Sequence, residues 1–296
     1  MRKPVSETVF LLLDYVFMAC FMILCIYPLY YVLIYSLSDP VRGFGKIFLW
    51  PYGFRISAYK GIFAQNDITY SALVSLARTV LGTLLTVFGS GLFAFVVSQK
   101  ELPKRRFIYR FVVVTMYFQA GLIPWYMTMK LLGLKNNFLL YILPAVVVPF
   151  FVVLMKTYYE SMPPALMESA MVDGASYPRI YRSIVIPISK PIFATVAVFS
   201  AVGQWNQWMD NYLLANIPSL QTMQLTLYNY LQESARLSQL STSSMSTSTA
   251  QAALSQVTPQ TIRAAITVIV VLPVMLFYPF MQRHFTKGLI LGAVKG

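Results

Sequence analysis

The stretch Met167–Pro187, MESAMVDGASYPRIYRSIVIP, decides the architecture of this chain. It lies between two apolar segments and predicts two short amphipathic helices. Pro163 and Pro164 suit the start of the first helix, because proline lacks the N–H that a first turn leaves unpaired. Glycine reaches positive φ without a side-chain clash, so Gly174 predicts a sharp bend between the helices. Ser176 suits the N-cap position of the second helix.

The apolar residues of both helices recur at three- and four-residue intervals and therefore share one face. In the first helix, roughly 164–173, this stripe contains Met167, Ala170, Met171 and Gly174, with Glu168 off it. In the second helix the stripe contains Tyr177, Ile180, Tyr181 and Ile184, opposite a polar face of Arg179, Arg182 and Ser183. Helices with an apolar face opposite a polar face predict a segment that binds another protein. The alternative is an interfacial helix that lies on the bilayer without a partner.

The residues Glu168-Ser169-Ala170, Gly174-Ala175 and Ile184–Pro187 resemble the EAA loop of bacterial ABC-importer permeases. That pattern reads E-A-A-x-x-x-G, nine residues, then I-x-L-P; here serine replaces the second-position alanine and isoleucine replaces the leucine. The resemblance implies coupling helices that dock on a separate ATPase. It implies that Glu168 faces a basic residue of the ATPase and that Gly174 makes the bend. The predicted coupling residues are Glu168, Ala170, Gly174, Ala175, Arg179 and Arg182.

The composition is that of a membrane protein. Of 296 residues, 57% are hydrophobic and only 11% are charged. The formal net charge is +13, but the basic residues lie beside apolar segments, which indicates membrane orientation and no nucleic-acid partner. Six segments are long enough to span a bilayer. We therefore predict an all-α integral membrane protein with six transmembrane helices: 9–37, 70–98, 107–129, 138–158, 184–209 and 262–281.

The distribution of basic residues predicts the orientation. Most lysines and arginines of the short loops fall on one side under six-span alternation, and that side is the cytoplasm. Both termini are then cytoplasmic, in the bacterial cell membrane. The predicted organisation is a first segment and helix (1–37), an extracytoplasmic loop (38–69), a transmembrane domain (70–285) and a tail (286–296). The transmembrane domain contains the coupling loop 163–183 and an outer loop 211–259.

A polar and aromatic run marks the predicted outer end of the fifth span. Amides and carboxylates inside a span are costly unless they line a wet path, and sugars need hydroxyl partners together with flat apolar faces. We therefore predict substrate-path or binding-protein contacts for Gln204, Trp205, Asn206, Gln207, Trp208, Asp210 and Asn211. An aromatic belt at the membrane surface is the alternative. Weaker candidates, in the third span, are Tyr117 and Gln119, the latter equally explained by a bond to a neighbouring helix.

Other residues of the spans predict structure. Arg78 and Arg263 are expected to snorkel to an interface. Gly82, Gly89 and Gly91 permit close helix contact in the second span. The prolines of the third to fifth spans predict kinks.

The C-terminus carries a second resemblance. The run Tyr278–Arg283, then Lys287-Gly288-Leu289 and the end Gly292–Gly296, resembles the maltose-type sugar permeases, specifically their shorter six-span partner. This resemblance covers the second span to the C-terminus, and residues 118–124 and 201–208 are most similar to a subgroup for complex oligosaccharides. It implies a permease subunit that imports oligosaccharides by alternating access and is not an enzyme. It also implies that the tail reaches the ATPase dimer and that residues 241–253 reach into the binding protein. The alternative for residues 241–253 is a flexible linker.

The implied partners are a dimer of ABC ATPase subunits, a homologous second permease subunit, an extracytoplasmic solute-binding protein, the oligosaccharide and membrane lipid. No G-x-x-x-x-G-K-[ST] motif occurs, so ATP and Mg²⁺ are expected on the partner ATPase. The only histidine is His284, and we expect neither a cofactor nor a metal site in this chain. Two alternatives remain: a permease for a peptide or phosphate, and a membrane enzyme or assembly factor. A multiply charged substrate should need several basic groups in the path, and only Arg78 and Arg263 lie near spans. A membrane enzyme or assembly factor needs a reactive group of residues, and the sequence shows none.

Overall fold

The computed structural model describes residues 5–39, 49–63, 66–118, 120–243 and 259–288. Every regular element in these ranges is a helix, which confirms the all-α prediction. The α-helices are α1 (Val5–Ser36), α2 (Ser57–Phe63), α3 (Asn66–Ser98), α4 (Arg105–Tyr117), α5 (Leu122–Leu131), α6 (Pro149–Glu160), α7 (Ala165–Val172), α8 (Tyr177–Ile180), α9 (Ile186–Ile188), α10 (Lys190–Asn206), α11 (Met209–Leu214), α12 (Met223–Ser243) and α13 (Pro259–Gly288). Short 3₁₀ turns cover Phe138–Tyr141, Leu143–Ala145 and Pro218–Leu220, and a π-helical turn covers Tyr181–Val185.

Within the described ranges, two helices are long and apolar enough to cross a membrane without a break. They contain the segments Val9–Ser36 and Ile68–Ser98, with mean hydropathies of 2.6 and 2.2. Three further pairs of helices reach this length only when each bent pair counts as one span. These pairs correspond to the predicted third, fourth and fifth spans. In the predicted sixth span, 260–276 form a shorter apolar stretch within α13.

The breaks in the spans coincide with proline and glycine, as the sequence predicted. The fourth span bends by 43° between Ala145 and Pro149, and Pro149 begins α6. The fifth span bends by 81° around Ser189, and Pro191 lies at the start of α10. Before α5, Gly121 has φ +83°. Proline cannot donate a backbone hydrogen bond and clashes with the preceding turn, so a helix with an internal proline tends to restart or bend there.

Helix α3 accommodates the break in the fourth span with small and hydroxyl side chains. Thr86 Oγ1 donates to the carbonyl of Ala145 at 2.7 Å, and Ser90 Oγ donates to that of Val146 at 3.4 Å. A Cβ added at Gly89 would lie 2.6 Å from the Val146 carbonyl oxygen. The glycine therefore allows the broken turn to approach α3, and the hydroxyls satisfy backbone groups that lipid would leave unpaired.

The chain divides into two compact units, 1–66 with 227–272 and 67–226 with 273–296. In the first unit the ion pair between Arg55 and Asp39, 3.1 Å long, joins two segments that also share backbone bonds, such as Arg55 N–H to Leu37 O at 2.9 Å. All predicted site residues belong to the second unit. The predicted domain boundaries stay predictions.

Some predicted features lie wholly or partly outside the described residues. Gln119 does, as do residues 244–258, which include most of the 241–253 segment, and residues 289–296 of the tail. The segment predicted as an outer loop contains α12, a helix of 21 residues. Its N-terminal turn is tied to α3, since Ser75 Oγ accepts from the Met223 N–H at 2.8 Å.

Candidate functional site

The loop 163–183 has the helix–bend–helix structure that its sequence predicts. The first helix, α7, ends at Val172, and Gly174 follows the C-cap residue Asp173 with φ +78°. The Gly174 N–H donates to Met171 O at 3.0 Å, and the Ala175 N–H donates to Ala170 O at 2.9 Å. This pair of bonds defines the Schellman motif, in which a left-handed glycine closes a helix and satisfies its last carbonyl groups. The chain therefore reverses without needing a side-chain cap.

The second helix begins where the sequence predicts. Ser176 occupies its N-cap position in an extended conformation, although its hydroxyl makes no capping bond. Pro178 lies in the first turn. Beyond Ile180 the chain continues through the π-helical turn, α9 and α10 into the fifth span. The second helix of the loop therefore continues, through nearly unbroken helical structure, into the bent fifth span.

The two faces of the loop have opposite environments. Ala170, Ile180 and Tyr181 are buried, at 8%, 1% and 8% relative exposure. Ala175 is half-buried, whereas Glu168, Gly174, Arg179 and Arg182 are exposed. The apolar side chain of the loop with the highest exposed fraction is Val172, at 88%. Sequence periodicity did not single out Val172, because this residue lies off the apolar stripe of α7.

The buried face belongs to the same hydrophobic core as three spans. This core includes Ala94 and Phe95 of α3, Val152, Met155 and Tyr159 of α6, and Val196 of α10. The rings of Phe95 and Tyr181 have centroids 4.9 Å apart. A Cβ added at Gly91 would lie 3.0 Å from Tyr181 Oη, so this glycine permits the close approach. Because protein interiors are close-packed, a displacement of the loop must move these spans or strain the core.

Charged side chains join the helices that surround the loop. Glu160 contacts both Arg105 and Lys156, the latter at 2.7 Å. The Lys156 ammonium also lies 4.0 Å from the ring centroid of Tyr109 on α4. Beside this network is a cavity of about 330 Å³, whose lining includes Glu101, Glu160 and Glu168. The same lining includes Lys100 and Arg105, so this cavity presents both cationic and anionic side chains.

The distant end of α10 carries a polar cluster, which we call the Arg78 cluster: the buried Arg78, Gln204 and Asp210, and the exposed Gln207, which takes part through its backbone carbonyl. Two guanidinium nitrogens of Arg78 donate to the two carboxylate oxygens of Asp210, at 3.0 and 2.6 Å. Arg78 Nε donates to Gln204 Oε1 at 3.0 Å, and Nη1 also donates to the Gln207 carbonyl at 3.2 Å. Arg78 and Asp210 are 3% and 5% exposed. A charge this deep needs such a partner, because desolvation alone would be prohibitive.

The expectation that Arg78 snorkels to an interface was therefore wrong. Its guanidinium carbon lies 4.5 Å from the ring centroid of Tyr141, and its donors face the end of α10. Gly82, one turn further along α3, makes room for this arrangement, because a Cβ there would lie 2.7 Å from Gln204 Nε2. The guanidinium is neutralised inside the protein, because the Asp210 carboxylate lies 2.6 Å from it.

Two cavities adjoin the Arg78 cluster. One, of about 300 Å³, is lined by Arg78, Gln204, Gln207 and Asp210 together with Trp125, Tyr141 and Phe199. The other, of about 540 Å³, shares Trp125, Gln207 and Asp210 with it. Aromatic faces beside amides and a carboxylate suit a polar ligand that also has apolar C–H surfaces. Trp125, which the sequence analysis did not single out, lies where the two cavities meet.

Among the predicted path residues, Gln204, Gln207 and Asp210 line the two cavities beside the Arg78 cluster. Asn211 is fully buried and accepts from the Thr222 N–H at 2.8 Å, so it holds the turn after α11. Asn206 Oδ1 accepts from Gln224 at 3.1 Å. Trp205 and Trp208 are partly buried, and Tyr117 is 79% exposed. The functional roles of the whole set stay predictions.

Within the described ranges, no group of three or more His, Cys, Asp or Glu side chains is placed to hold a metal ion. The loop therefore offers an exposed face to a partner, and the cavities beside the Arg78 cluster offer room for a ligand.

No protein-family model matches the chain. The polygalacturonan/rhamnogalacturonan transport system permease protein YtcP of Bacillus subtilis (strain 168) is 35% identical over 292 residues, which are 98% of this chain and 100% of that protein. The galactooligosaccharides transport system permease protein GanQ of the same strain is 27% identical over 297 residues, or 97% of this chain and 96% of that protein.

Among solved structures, the chain resembles one in a bacterial ABC transporter involved in the import of the acidic polysaccharide alginate. The TM-score is 0.83 and the sequence identity 26%, over 96% of this chain and 99% of that chain. Fold, loop geometry and relatives agree on a transporter subunit rather than an enzyme. The chain belongs to the family of ABC-importer permease subunits of carbohydrate transport systems.

Proposed function

We propose that this permease imports oligosaccharides across the bacterial cell membrane by alternating access, driven by a separate ATPase dimer. A solute-binding protein delivers the sugar, and a homologous second permease subunit completes the path. ATP and Mg²⁺ bind to the ATPase subunits, and both termini and the 163–183 loop face the cytoplasm. Movement of the loop switches the spans between inward-open and outward-open states.

The two-faced structure of the 163–183 loop carries this proposal. Its exposed face presents Glu168, Val172 and Arg179 to a partner. Its buried face packs with α3, α6 and α10 through Ala170, Ile180 and Tyr181. A partner that grips the first face therefore acts on the spans through the second.

The cavities beside the Arg78 cluster support an oligosaccharide as the cargo. Their walls combine Trp125 and Tyr141 with the amides of Gln204 and Gln207. Relatives named for polygalacturonan and for galactooligosaccharides agree with this class of cargo. A peptide or phosphate importer is less well supported, because the buried guanidinium of Arg78 is already neutralised by Asp210.

Co-purification tests the coupling. The tagged chain is expressed with its ATPase and second permease subunits, and the ATPase retained after affinity purification is quantified. Gly174→Pro should lose it, because proline cannot adopt φ +78° and lacks the N–H that bonds Met171 O. Glu168→Lys should also lose it, because the charge on the exposed face is reversed.

Lys130→Glu, a charge reversal of the same size and opposite sign at an exposed residue of α5, is the control and should retain the ATPase. Retention of the second permease subunit shows that each variant has folded. Full retention of the ATPase by both loop variants would refute the docking role. Oligosaccharide-stimulated ATP hydrolysis by the reconstituted transporter with its binding protein, over a panel of sugars, tests the cargo.

A further inference from the structure

The guanidinium of Arg78 is engaged by the protein itself. Asp210 holds it bidentately at 3.0 and 2.6 Å, and Gln204 and the Gln207 carbonyl take further N–H donors at 3.0 and 3.2 Å. Tyr141 lies against the guanidinium, with 4.5 Å between the guanidinium carbon and the ring centroid. Only 3% of the residue is exposed. A carboxylate in the cavity would have to displace Asp210 to reach these donors.

The same pair lies in a cavity wall. Arg78, Gln204 and Asp210 line the 300 Å³ cavity, and Asp210 and Gln207 also line its 540 Å³ neighbour. The wall contains one cation and one anion in direct contact, so their charges cancel at this place. The other polar side chains that line the 300 Å³ cavity include the amides of Gln204 and Gln207 and the hydroxyls of Thr86, Tyr141 and Ser200, which hydrogen-bond to sugar hydroxyl groups without a net charge.

Pairing also fixes the position of the amides. Gln204 is held between Arg78 and the α3 backbone at Gly82, where an added Cβ would lie 2.7 Å from Gln204 Nε2. The carbonyl of Gln207 is held by Arg78 at the point where α10 ends. The ion pair therefore orients the two groups that adjoin Trp125 in the cavity.

We propose that Asp210 is a specificity-determining residue: by neutralising Arg78 it makes this cavity bind uncharged sugar residues through hydroxyl groups in preference to uronates. This inference rests on the proposed oligosaccharide cargo. An uncompensated guanidinium in the same wall would instead attract a carboxylate, because bidentate Arg–carboxylate bonds are among the strongest polar contacts.

The test uses two probes with matched rings, galactotetraose and tetragalacturonate, which differ at C6. Binding of each to the permease–ATPase complex in nanodiscs is measured by calorimetry at fixed ionic strength. The solute-binding protein is left out, since its own preference would otherwise set the ratio. The readout is the ratio of the two affinities, which a uniform loss of stability or of binding would not change.

Asp210→Asn should shift this ratio toward tetragalacturonate by about tenfold or more, which is the effect of a single charged contact of about 1.4 kcal/mol. The double variant Arg78→Gln/Asp210→Asn should return the ratio to the wild-type value. Asp39→Asn, which removes the carboxylate of the ion pair with Arg55 in the other unit, is the matched control and should not shift it. Should Asp210→Asn fail to fold, Gln207→Lys adds a cation to the wall at an exposed side chain and should shift the ratio in the same direction.

An unchanged ratio in folded Asp210→Asn, or in Gln207→Lys when it replaces that variant, would overturn the proposal. So would any wild-type preference for tetragalacturonate, and if Arg78→Gln abolished that preference, Arg78 would itself bind the uronate. If the wild type binds neither probe but retains its ATPase and hydrolyses ATP in response to loaded binding protein, the sugar site in this chain is refuted and the coupling role stands.

Discussion

The 163–183 loop and the Arg78 cluster both join one part of the second unit to another, but by opposite means. The loop satisfies its bend with backbone bonds at Gly174 and keeps Glu168 and Arg179 exposed. The Arg78 cluster satisfies its charges with each other and buries them. A segment that binds a partner needs polar groups at its surface. A contact between the spans must instead pair every polar group within the protein. The comparison predicts that substitutions in the cluster act on stability and those in the loop act on assembly.

The largest effect is expected from breaking the buried pair. Asp210→Ala leaves the Arg78 guanidinium buried without its carboxylate, which should lower the free energy of unfolding by about 3–5 kcal/mol. Asp39→Ala at the more exposed pair with Arg55 should lower it by about 1 kcal/mol or less. Thermal or denaturant unfolding of the purified subunit measures both. Equal losses would show that burial of the pair does not matter.

Filling the space at Gly82 should come next. A Cβ in Gly82→Ala would lie 2.7 Å from Gln204 Nε2 and push that amide away from Arg78, which should lower the free energy of unfolding by about 1–3 kcal/mol. Gly203→Ala is the matched control on α10, because an added Cβ there meets nothing within 4 Å. Unfolding of the two variants under one condition compares them. A similar loss for both would attribute the effect to glycine replacement in general.

A smaller change in stability is expected at the bend of the loop. Gly174→Ala meets no steric obstacle, but an L-residue at φ +78° costs roughly 1–2 kcal/mol. ATPase retention should fall as well, because the bend orients the exposed face. A loss of stability without any loss of ATPase would indicate that the bend has no part in docking.

The smallest effect on stability belongs to Val172→Ser. The side chain is 88% exposed, so the free energy of unfolding should change by no more than about 0.5 kcal/mol. Retention of the ATPase should nevertheless fall several-fold if Val172 is buried in the docked complex. Leu131→Ser on α5, equally 88% exposed, is the control and should retain the ATPase. An equal outcome for both variants would remove Val172 from the docking surface.

The sequence predicted the loop well because its determinants are local. Pro163, Gly174 and Ser176 lie within a few residues of the helix starts and the bend that they predicted, and the buried stripe follows helical periodicity. The glycines of α3 were also correctly expected to permit close contact, as at Gly82, Gly89 and Gly91. What each glycine touches could not be predicted, because its neighbours come from other spans.

The Arg78 cluster could not be predicted in the same way. Arg78 and Asp210 are separated by 132 residues, and the sequence around either residue does not indicate that the other is its partner. An arginine near the end of an apolar segment has a simple local explanation in snorkelling, and the carboxylate that overrides it comes close only after folding. Asn211 is a similar case, since its bonds to the turn at Thr222 explain a polar residue that the sequence assigned to the path.

The order of apolar segments, prolines and glycines by itself determined an all-α membrane protein with broken spans and a bent, two-faced loop. These features depend on hydrophobicity and on backbone freedom, both of which act over a few residues. Only the tertiary structure decided which polar residues of the spans are partners and which face a cavity. A buried charge is stable only beside its counter-charge, and that distance is set by the packing of whole helices.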